Sequence, residues 1–292
     1  MKNMAVLNLF RKSLSVVTPN NASRAGLIIM AGFILIAALA DLIAPYNPYE
    51  RVSQPFQPPS EGHWLGTDDL GRDIFSQLIY SARLSLLIGF ISAVAATMIG
   101  TLLGLIAGYY GGRADELLMR FTDLWLAFPN LLFTILLVVL FAPLAGNRLV
   151  PIVIAIAIGS WPTAARLIRS AVISIKQSQY IESARALGAS NARIIFKHIL
   201  PNTSSLIIVE VITLMGNAML TEASLSFLGL GDPRAISWGM MLHYALLRNA
   251  IYLGMWWWFL PPGIMISLAV LAVILLGTGL EEYFNPRLRR RL

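Results

Sequence analysis

The sequence predicts an all-α, polytopic membrane protein with six transmembrane helices. Of its 292 residues, 57% are hydrophobic and only 13% are charged, whereas a soluble domain carries about 25% charged residues. A helix needs about 20 mostly apolar residues to cross a bilayer. Six segments come close to that length, and they cover residues 25–44, 84–107, 124–141, 149–167, 206–225 and 256–280.

The distribution of charge predicts how these spans are oriented. Residues 1–24 hold four Lys or Arg and no acid, residues 165–203 hold six against Glu182 alone, and residues 285–292 hold four arginines. Residues 41–73 carry six acids and two arginines. Because short cytoplasmic loops carry an excess of basic residues, we expect both termini and the loop 165–203 in the cytoplasm, and residues 45–82 outside.

This arrangement suggests a division of the chain into two parts. Residues 1–83 would form a cytoplasmic tail, the first span and an extracytoplasmic loop, and residues 84–292 a five-helix core domain with a cytoplasmic loop at about 169–203. The proline-rich start of the outer loop prevents helix formation until about Asp68. We expect Asp68 or Asp69 to cap the helix that leads into the second span.

The second span carries small residues at four-residue spacing, namely Ala96, Gly100, Gly104 and Gly108. Residues four apart share one face of a helix, and small side chains there let another helix approach closely. The stripe therefore predicts helix packing rather than a ligand site.

Several motifs that would indicate other functions are absent from the sequence. The chain has no cysteine and three scattered histidines, so we expect no metal site. It has no G-x-x-x-x-G-K-[ST] loop for ATP and no G-x-S-x-G or H-E-x-x-H motif, so we expect a subunit that is not an enzyme and holds no cofactor. The net charge of +7 lies largely in loops and tails, which fits membrane orientation better than nucleic-acid binding.

A polar helical hairpin interrupts the apolar sequence at ESARALGASNARIIFKHILPN, which runs from Glu182 to Asn202. Ile181, Ala184 and Leu187 are spaced to share one helical face. Gly188 ends that helix, because glycine adopts the left-handed conformation without strain. Ser190 or Asn191 can cap a second short helix. Two short helices joined at a glycine predict a stiff knob outside the bilayer.

The pattern E-x-A-x-x-x-G followed by I-L-P resembles the EAA loop of permease subunits of binding-protein-dependent ABC importers, with departures at Ser183 and His198. Four further segments resemble the peptide/nickel, DppC/OppC-type branch of these permeases: HWLGTDDLGRDIFSQLIYSARLSL, LIAGYYGGRADELLMRFTDLWLAFP, LTEASLSFLGLG and SWGMML. They lie in the expected order, and the resemblance covers nearly the whole chain. It implies the type I ABC importer permease fold in the cell membrane of a prokaryote.

The resemblance also implies partners and site residues. The partners would be a homologous second permease subunit, two ATP-binding subunits that hold ATP and Mg²⁺, an extracytoplasmic substrate-binding protein and membrane lipid. The hairpin would be the coupling helix that inserts into the ATPase. Its coupling residues would be Glu182, Ser183, Ala184, Arg185, Ala186, Leu187, Gly188, Ala189, Arg193 and Pro201.

The candidates for the substrate path are ionisable residues within a predicted span. Ionisable residues are rare within spans and usually functional, and the fifth span contains Glu210 and Glu222. We take both as candidates for the path, with a hydrogen bond to another subunit as the alternative for Glu210. The family resemblance favours import of di- or oligopeptides, with nickel or metal chelates, glutathione or oligosaccharides as alternatives. A secondary transporter acting alone is disfavoured, because such carriers keep several paired charges near the membrane midplane.

Overall fold

The structure, a computed structural model, describes residues 20–284, and this part of the chain folds into helices without an extended strand. The basic residues expected to orient the two tails, apart from Arg24, lie outside the described residues. In chain order the helices are α1 (Asn21–Ala38), α2 (Ala40–Ile43), α3 (Ile74–Tyr110), α4 (Gly112–Leu126), α5 (Asn130–Phe141), α6 (Leu149–Lys176), α7 (Gln179–Ala186), α8 (Asn191–Ile194), α9 (Leu200–Phe227), α10 (Trp238–Leu247) and α11 (Trp256–Phe284).

Five helical segments among the described residues are long and apolar enough to cross a membrane. They are α1, α3, α6, α11 and the segment Asn191–Phe227, in which a π-helical turn, Ile195–Ile199, joins α8 to α9. A sixth span results if α4 and α5 are counted together with the 3₁₀ turn Ala142–Leu144. These observations confirm the predicted all-α, multi-pass architecture.

The prediction of one continuous helix over residues 124–141 is wrong. Helix α4 ends at Leu126 and α5 begins at Asn130, and their axes differ by 92°. Pro129 precedes α5 in an extended conformation and has no N–H to continue a helix. The apolar composition of this region is therefore divided between two helices that point in different directions.

A second proline explains how this bend is attached to α6. Pro162 lies inside α6, and its missing N–H leaves the carbonyl of Ile158 without an intrahelical partner. The indole N–H of Trp125 donates to that carbonyl at 2.9 Å, and the side-chain amide of Asn130 donates to Gly159 O at 3.2 Å. Side chains from both sides of the bend thus satisfy α6 backbone groups within the apolar interior.

Helix α3 is the central element of the fold. Its 37 residues extend over about 55 Å at 1.5 Å per residue, and it packs against α1, α6 and α9. The predicted division of the chain at residues 83/84 falls inside this helix. One end of α3, at Ile74, adjoins residues 44–73, which we call the α2–α3 loop. The other end, at Tyr110, adjoins the polar hairpin.

The α2–α3 loop has few regular elements, but charged side chains fix its end against α3. The expectation that Asp68 or Asp69 caps α3 is wrong, because Asp73 is the N-cap and accepts a hydrogen bond from Ser76 N at 2.8 Å. Asp68 instead accepts from the Arg72 guanidinium at 2.6 Å and from the side-chain amide of Gln77 at 2.8 Å. These carboxylates hold the loop in place.

Candidate functional site

The hairpin of α7, α8 and the π-helical turn, residues 179–199, has the two-helix form that the sequence predicts. Gly188 has φ +79° and no atom within 4 Å of an added Cβ, so its backbone conformation rather than crowding requires glycine there. Gly188 N–H donates to Arg185 O, and Ala189 N–H donates to Ala184 O, both at 3.0 Å. This is the paired hydrogen bonding of a Schellman helix end. Ser190 caps α8 by accepting from Arg193 N.

The base of the hairpin is apolar and buried. Ile181 of α7, Ile194 of α8 and Ile199 of the π-helical turn are fully covered. They pack in one cluster with residues at the end of α3 and along α6, which include Leu105, Tyr109, Ile168 and Val172. Because native interiors are close-packed, this contact makes the hairpin a rigid extension of α3 and α6 rather than a loose loop.

Polar contacts reinforce the same base. The hydroxyl of Tyr109 donates to Asn191 Oδ1 at 2.8 Å, which ties the end of α3 to the start of α8. Arg169 of α6 forms an ion pair with Asp115 of α4. A second pair joins α6 to α4 beside it, between Arg166 and Asp123 at 2.5 Å. Two of the basic residues that the sequence assigned to a loop therefore belong to α6 and hold α4.

The tip of the hairpin is open to solvent. Leu187 is 89% exposed, although its spacing predicted that it would share the face of the buried Ile181. Of the other predicted coupling residues, Ala184 and Ala189 are half-buried, and those exposed are Glu182, Ser183, Arg185, Ala186, Gly188, Arg193 and Pro201. Within residues 20–284, Glu182, Arg185 and Arg193 form no ion pair. The tip thus presents an exposed leucine and unpaired charges of both signs.

The small-residue stripe of α3 lies against α6 and leads toward the base of the hairpin. A Cβ built on Gly100 would lie 2.7 Å from Trp161 O, one on Gly104 2.6 Å from Ala165 O, and one on Gly108 2.9 Å from Arg169 O. Ala96, one turn earlier, is fully buried. These oxygens belong to the backbone of α6. Helices α3 and α6 therefore approach more closely than they could if larger side chains lay between them.

The two carboxylates of the fifth span are covered. Glu222 is 1% exposed and accepts a hydrogen bond from the Ser226 hydroxyl at 2.8 Å. Glu210 is 8% exposed and lies beside Thr163 of α6. The two glutamates are separated along α9 and form no pair with each other. In this conformation neither candidate for the substrate path lines an open surface.

Comparison with known proteins gives the family of the chain. Residues 100–290 match the family described as "Binding-protein-dependent transport system inner membrane component", and residues 19–59 match the "N-terminal TM domain of oligopeptide transport permease C". The chain belongs to the first of these families. Its membership confirms the predicted type I ABC importer permease fold and the prediction of a permease component in a membrane.

Curated relatives of this permease align over almost their full length. The dipeptide transport system permease protein DppC of Alkalihalophilus pseudofirmus is 43% identical over 96% of this chain and 90% of the relative. The glutathione transport system permease protein GsiD of Pectobacterium atrosepticum is 42% identical, with coverages of 92% and 87%. The oligopeptide transport system permease protein OppC of Bacillus subtilis is 37% identical, with coverages of 97% and 92%. A chain of the MetNI methionine ABC transporter in an inward-facing crystal form aligns at 17% identity and a TM-score of 0.49, over 66% of this chain and 96% of that one.

The permease contains structural contacts of the hairpin that sequence reasoning missed. The sequence indicated Asn191 only as a candidate cap of α8, and it indicated neither Tyr109 as its partner nor the pairing of Asp115 with Arg169. One residue of each contact has a local signal in the sequence. The tyrosine lies at the end of an apolar run, and the aspartate lies just after the Gly111-Gly112 pair. Their partners lie more than fifty residues away along the chain, which is why only the fold brings them together.

Proposed function

We propose that this chain is one of two permease subunits of an ATP-driven, binding-protein-dependent importer of di- and oligopeptides. It would form half of the translocation path and transmit the motion of cytoplasmic ATPases to that path. Family membership supports the general role, and the names of two relatives, a dipeptide and an oligopeptide transport permease, support the cargo. The chain itself would hold no ATP and catalyse no reaction.

The observation that carries the coupling proposal is the contrast within the hairpin between a buried base and an exposed tip. The base contacts α3 and α6, and the π-helical turn continues directly into α9. A displacement of the tip would therefore be passed to three long helices at once, because the apolar base leaves no flexible joint between them. The exposed Leu187, together with Glu182 and Arg185, which form no ion pair among the described residues, is suited to a cleft on an ATPase.

The remaining assignments form one consistent set. We place the hairpin and both termini in the cytoplasm and the α2–α3 loop outside, in a prokaryotic cell membrane. We keep residues 84–292 as the permease core, with residues 1–83 as a tail, first span and outer loop. The partners would be a homologous permease, two ATP-binding subunits that carry ATP and Mg²⁺, and an extracytoplasmic binding protein. Orientation follows from the distribution of basic residues.

Other cargoes within the same machinery are glutathione, nickel or metal chelates, and oligosaccharides. Glutathione is supported by the GsiD relative and is chemically a tripeptide derivative. A secondary transporter that acts alone is disfavoured, since the two covered glutamates of α9 are separate and such carriers use groups of intramembrane charges.

A single-cysteine crosslinking experiment tests the coupling proposal. The chain contains no cysteine, so Leu187→Cys introduces one thiol in this subunit, at the exposed tip. Leu144→Cys is the matched control, because Leu144 is 80% exposed and belongs to the 3₁₀ turn before α6, far along the chain from the hairpin. We expect a crosslinker with one thiol-reactive and one photoreactive end to join Leu187→Cys, and not Leu144→Cys, to an ATP-hydrolysing subunit. Crosslinking of the control alone would overturn the proposed orientation.

The cargo is tested by transport in proteoliposomes that contain the purified complex. Binding protein loaded with a labelled dipeptide, a longer oligopeptide or glutathione is added on one side, and ATP on the other. We expect ATP-dependent accumulation of peptides. Accumulation of glutathione alone would replace the peptide assignment by that alternative, and uptake without ATP or binding protein would contradict the importer function.

A further inference from the structure

Helix α9 carries polar residues on a face that the rest of the described chain leaves open. Thr213 and Asn217 are exposed, and Thr221 and Ser224 are half-buried. These four positions recur at intervals of three or four residues, so they share one side of the helix. We call them the α9 polar stripe. Two turns before Asn217 on the same side lies Glu210, which α6 covers.

Other exposed faces of the spans are different in composition. Exposed side chains on α5 include Leu132, Leu136 and Leu140, and those on the hairpin half of α3 include Met98 and Leu102. These faces suit contact with lipid or with another apolar helix, because they carry no group that hydrocarbon would leave unpaired. The α9 polar stripe does not fit that environment.

Asn217 is the decisive residue of the stripe. The hydroxyls of Thr213, Thr221 and Ser224 donate to backbone carbonyls of their own helix, at 3.0, 2.8 and 2.8 Å. The carboxamide of Asn217 makes no hydrogen bond to any residue in the range 20–284. It lies within about 5 Å of the middle of α9 at 1.5 Å per residue, well inside the hydrocarbon depth of a bilayer. An unpaired amide there is unfavourable unless water, a ligand or another subunit meets it.

A groove beside Asn217 provides room for such a ligand. It lies between α9 and α11 and has a volume of about 210 Å³, which is smaller than two apolar grooves of about 400 and 540 Å³ elsewhere in the described residues. Its lining includes Thr213, Asn217, Ile274, Thr278 and Glu281. Gly216 and Gly277 form part of its floor, and a Cβ on Gly277 would come to 3.6 Å from Thr213 Oγ1. At about 30 Å³ per water the groove holds roughly seven waters.

From these observations we infer that the α9 polar stripe and this groove form a cargo-contact site, in which Asn217 hydrogen-bonds a backbone amide of the passing peptide. This inference rests on the proposed peptide-import function. A carboxamide both donates and accepts, so it matches both groups of a peptide bond and does not distinguish side chains. The site would therefore recognise the peptide backbone, and Glu281 at one end of the groove would favour a cationic group.

The reactivity of an introduced thiol tests whether water reaches the α9 polar stripe. In a complex whose other subunits carry no reactive cysteine, a small charged methanethiosulfonate reagent is applied to Asn217→Cys, and its labelling rate is measured with and without peptide-loaded binding protein and nucleotide. Ala218→Cys, at the adjacent buried position, and Leu136→Cys, on an exposed apolar face, are the controls. We expect Asn217→Cys alone to react, and we expect peptide to slow that reaction.

A transport assay tests the hydrogen bond itself. Loss of one hydrogen bond to the peptide predicts that Asn217→Leu transports about 3- to 10-fold less peptide per ATP hydrolysed. ATPase stimulation by loaded binding protein should persist, whereas a merely structural defect would lower both quantities. Asn217→Gln, which keeps a carboxamide, should recover most of the transport, and peptides of different side-chain charge should be affected alike.

Two outcomes would overturn the inference in distinguishable ways. If Asn217→Cys is as unreactive as Ala218→Cys in every nucleotide state while the wild-type complex imports peptide, the stripe is packed against another subunit, and the proposed function stands. If the wild-type complex imports no peptide at all, the proposed function fails and the peptide contact fails with it.

Discussion

The hairpin and the α2–α3 loop lie at opposite ends of α3, and their charged residues differ in exposure to solvent. The hairpin buries isoleucines at its base and leaves its charged residues exposed at the tip. The α2–α3 loop buries the carboxylates of Asp68 and Asp73 and surrounds them with donors. One region is held by apolar contact, the other by internal polar contacts.

The two regions therefore differ in whether their polar groups are free to bind a partner. A carboxylate that already accepts several hydrogen bonds inside the fold is needed for stability and would be costly to redirect. An exposed charge that forms no ion pair within residues 20–284 can pair with another protein at little cost. The hairpin tip is therefore the region with polar groups to offer, whereas the buried acids of the α2–α3 loop are structural.

We expect Asp73→Ala to lower stability more than any other variant considered below. A small loss would contradict the view that buried polar contacts hold the α2–α3 loop. Its carboxylate accepts from Ser76 N at 2.8 Å, from Ser76 Oγ at 2.7 Å and from His63 Nδ1 at 2.9 Å. Loss of a helix cap together with a buried acceptor predicts a decrease of about 2–4 kcal/mol in the free energy of unfolding in detergent. Glu61→Ala, at an exposed acid of the same loop, is the control and should leave stability unchanged.

Gly104→Ala should have the second largest effect, because it separates the two helices that carry the hairpin. The new methyl group would lie 2.6 Å from Ala165 O, a backbone atom that cannot rotate away. Overpacking of this kind predicts a loss of about 1–3 kcal/mol. Gly32→Ala in α1 is the matched control, since nothing lies within 4 Å of its added Cβ. Equal stability of the two variants, measured by thermal unfolding, would show that α3 and α6 are not closely packed.

Much of the fold could be predicted because its signals are local. Apolar runs of sufficient length located the spans, and the need for positive φ located the end of α7 at Gly188. The 92° bend before α5 was not predicted, because the hydrophobicity of a segment indicates whether it can lie in a membrane but not the direction of its helix axis. Pro129 was the available signal, and the continuous apolar sequence around it concealed its effect.

The candidate site was less predictable, because exposure of a side chain depends on which helices cover it. The charge of Glu210 and Glu222 drew attention to them, but helix packing covers both. Asn217 carries no charge and was not predicted to have a role, yet the described part of the fold leaves its side chain exposed. The positions of the helices packed around α9 separate these cases.

We expect Gly188→Ala to lower stability moderately. This variant separates the cost of backbone strain from the loss of coupling at the hairpin. Forcing alanine into φ +79° costs about 1 kcal/mol. Gly254 is the matched control: its φ is +70° and it also has open space around it, but it lies outside the hairpin. We expect similar local strain in Gly188→Ala and Gly254→Ala, and a several-fold loss of coupled transport in Gly188→Ala only. Equal transport by both variants would argue against the hairpin as the coupling element.

We expect the smallest loss of stability for a change at Asp41, because its charged contact near the α2–α3 loop is exposed. Hydrogen bonds from Arg83, and then from Tyr80, lower the pKa of the Asp41 carboxyl below its usual value of 3.8. A lowered pKa means that the ionised form stabilises the folded state above the unfolded-state pKa, and that this contribution is lost as the pH falls below about 3.8. Because the pair is exposed, solvent screens it. Asp41→Asn should therefore change the midpoint of thermal unfolding only slightly at neutral pH and remove a small acid-dependent component, in contrast to Asp73→Ala. A loss as large as that of Asp73→Ala would mean that burial is not what distinguishes the two carboxylates.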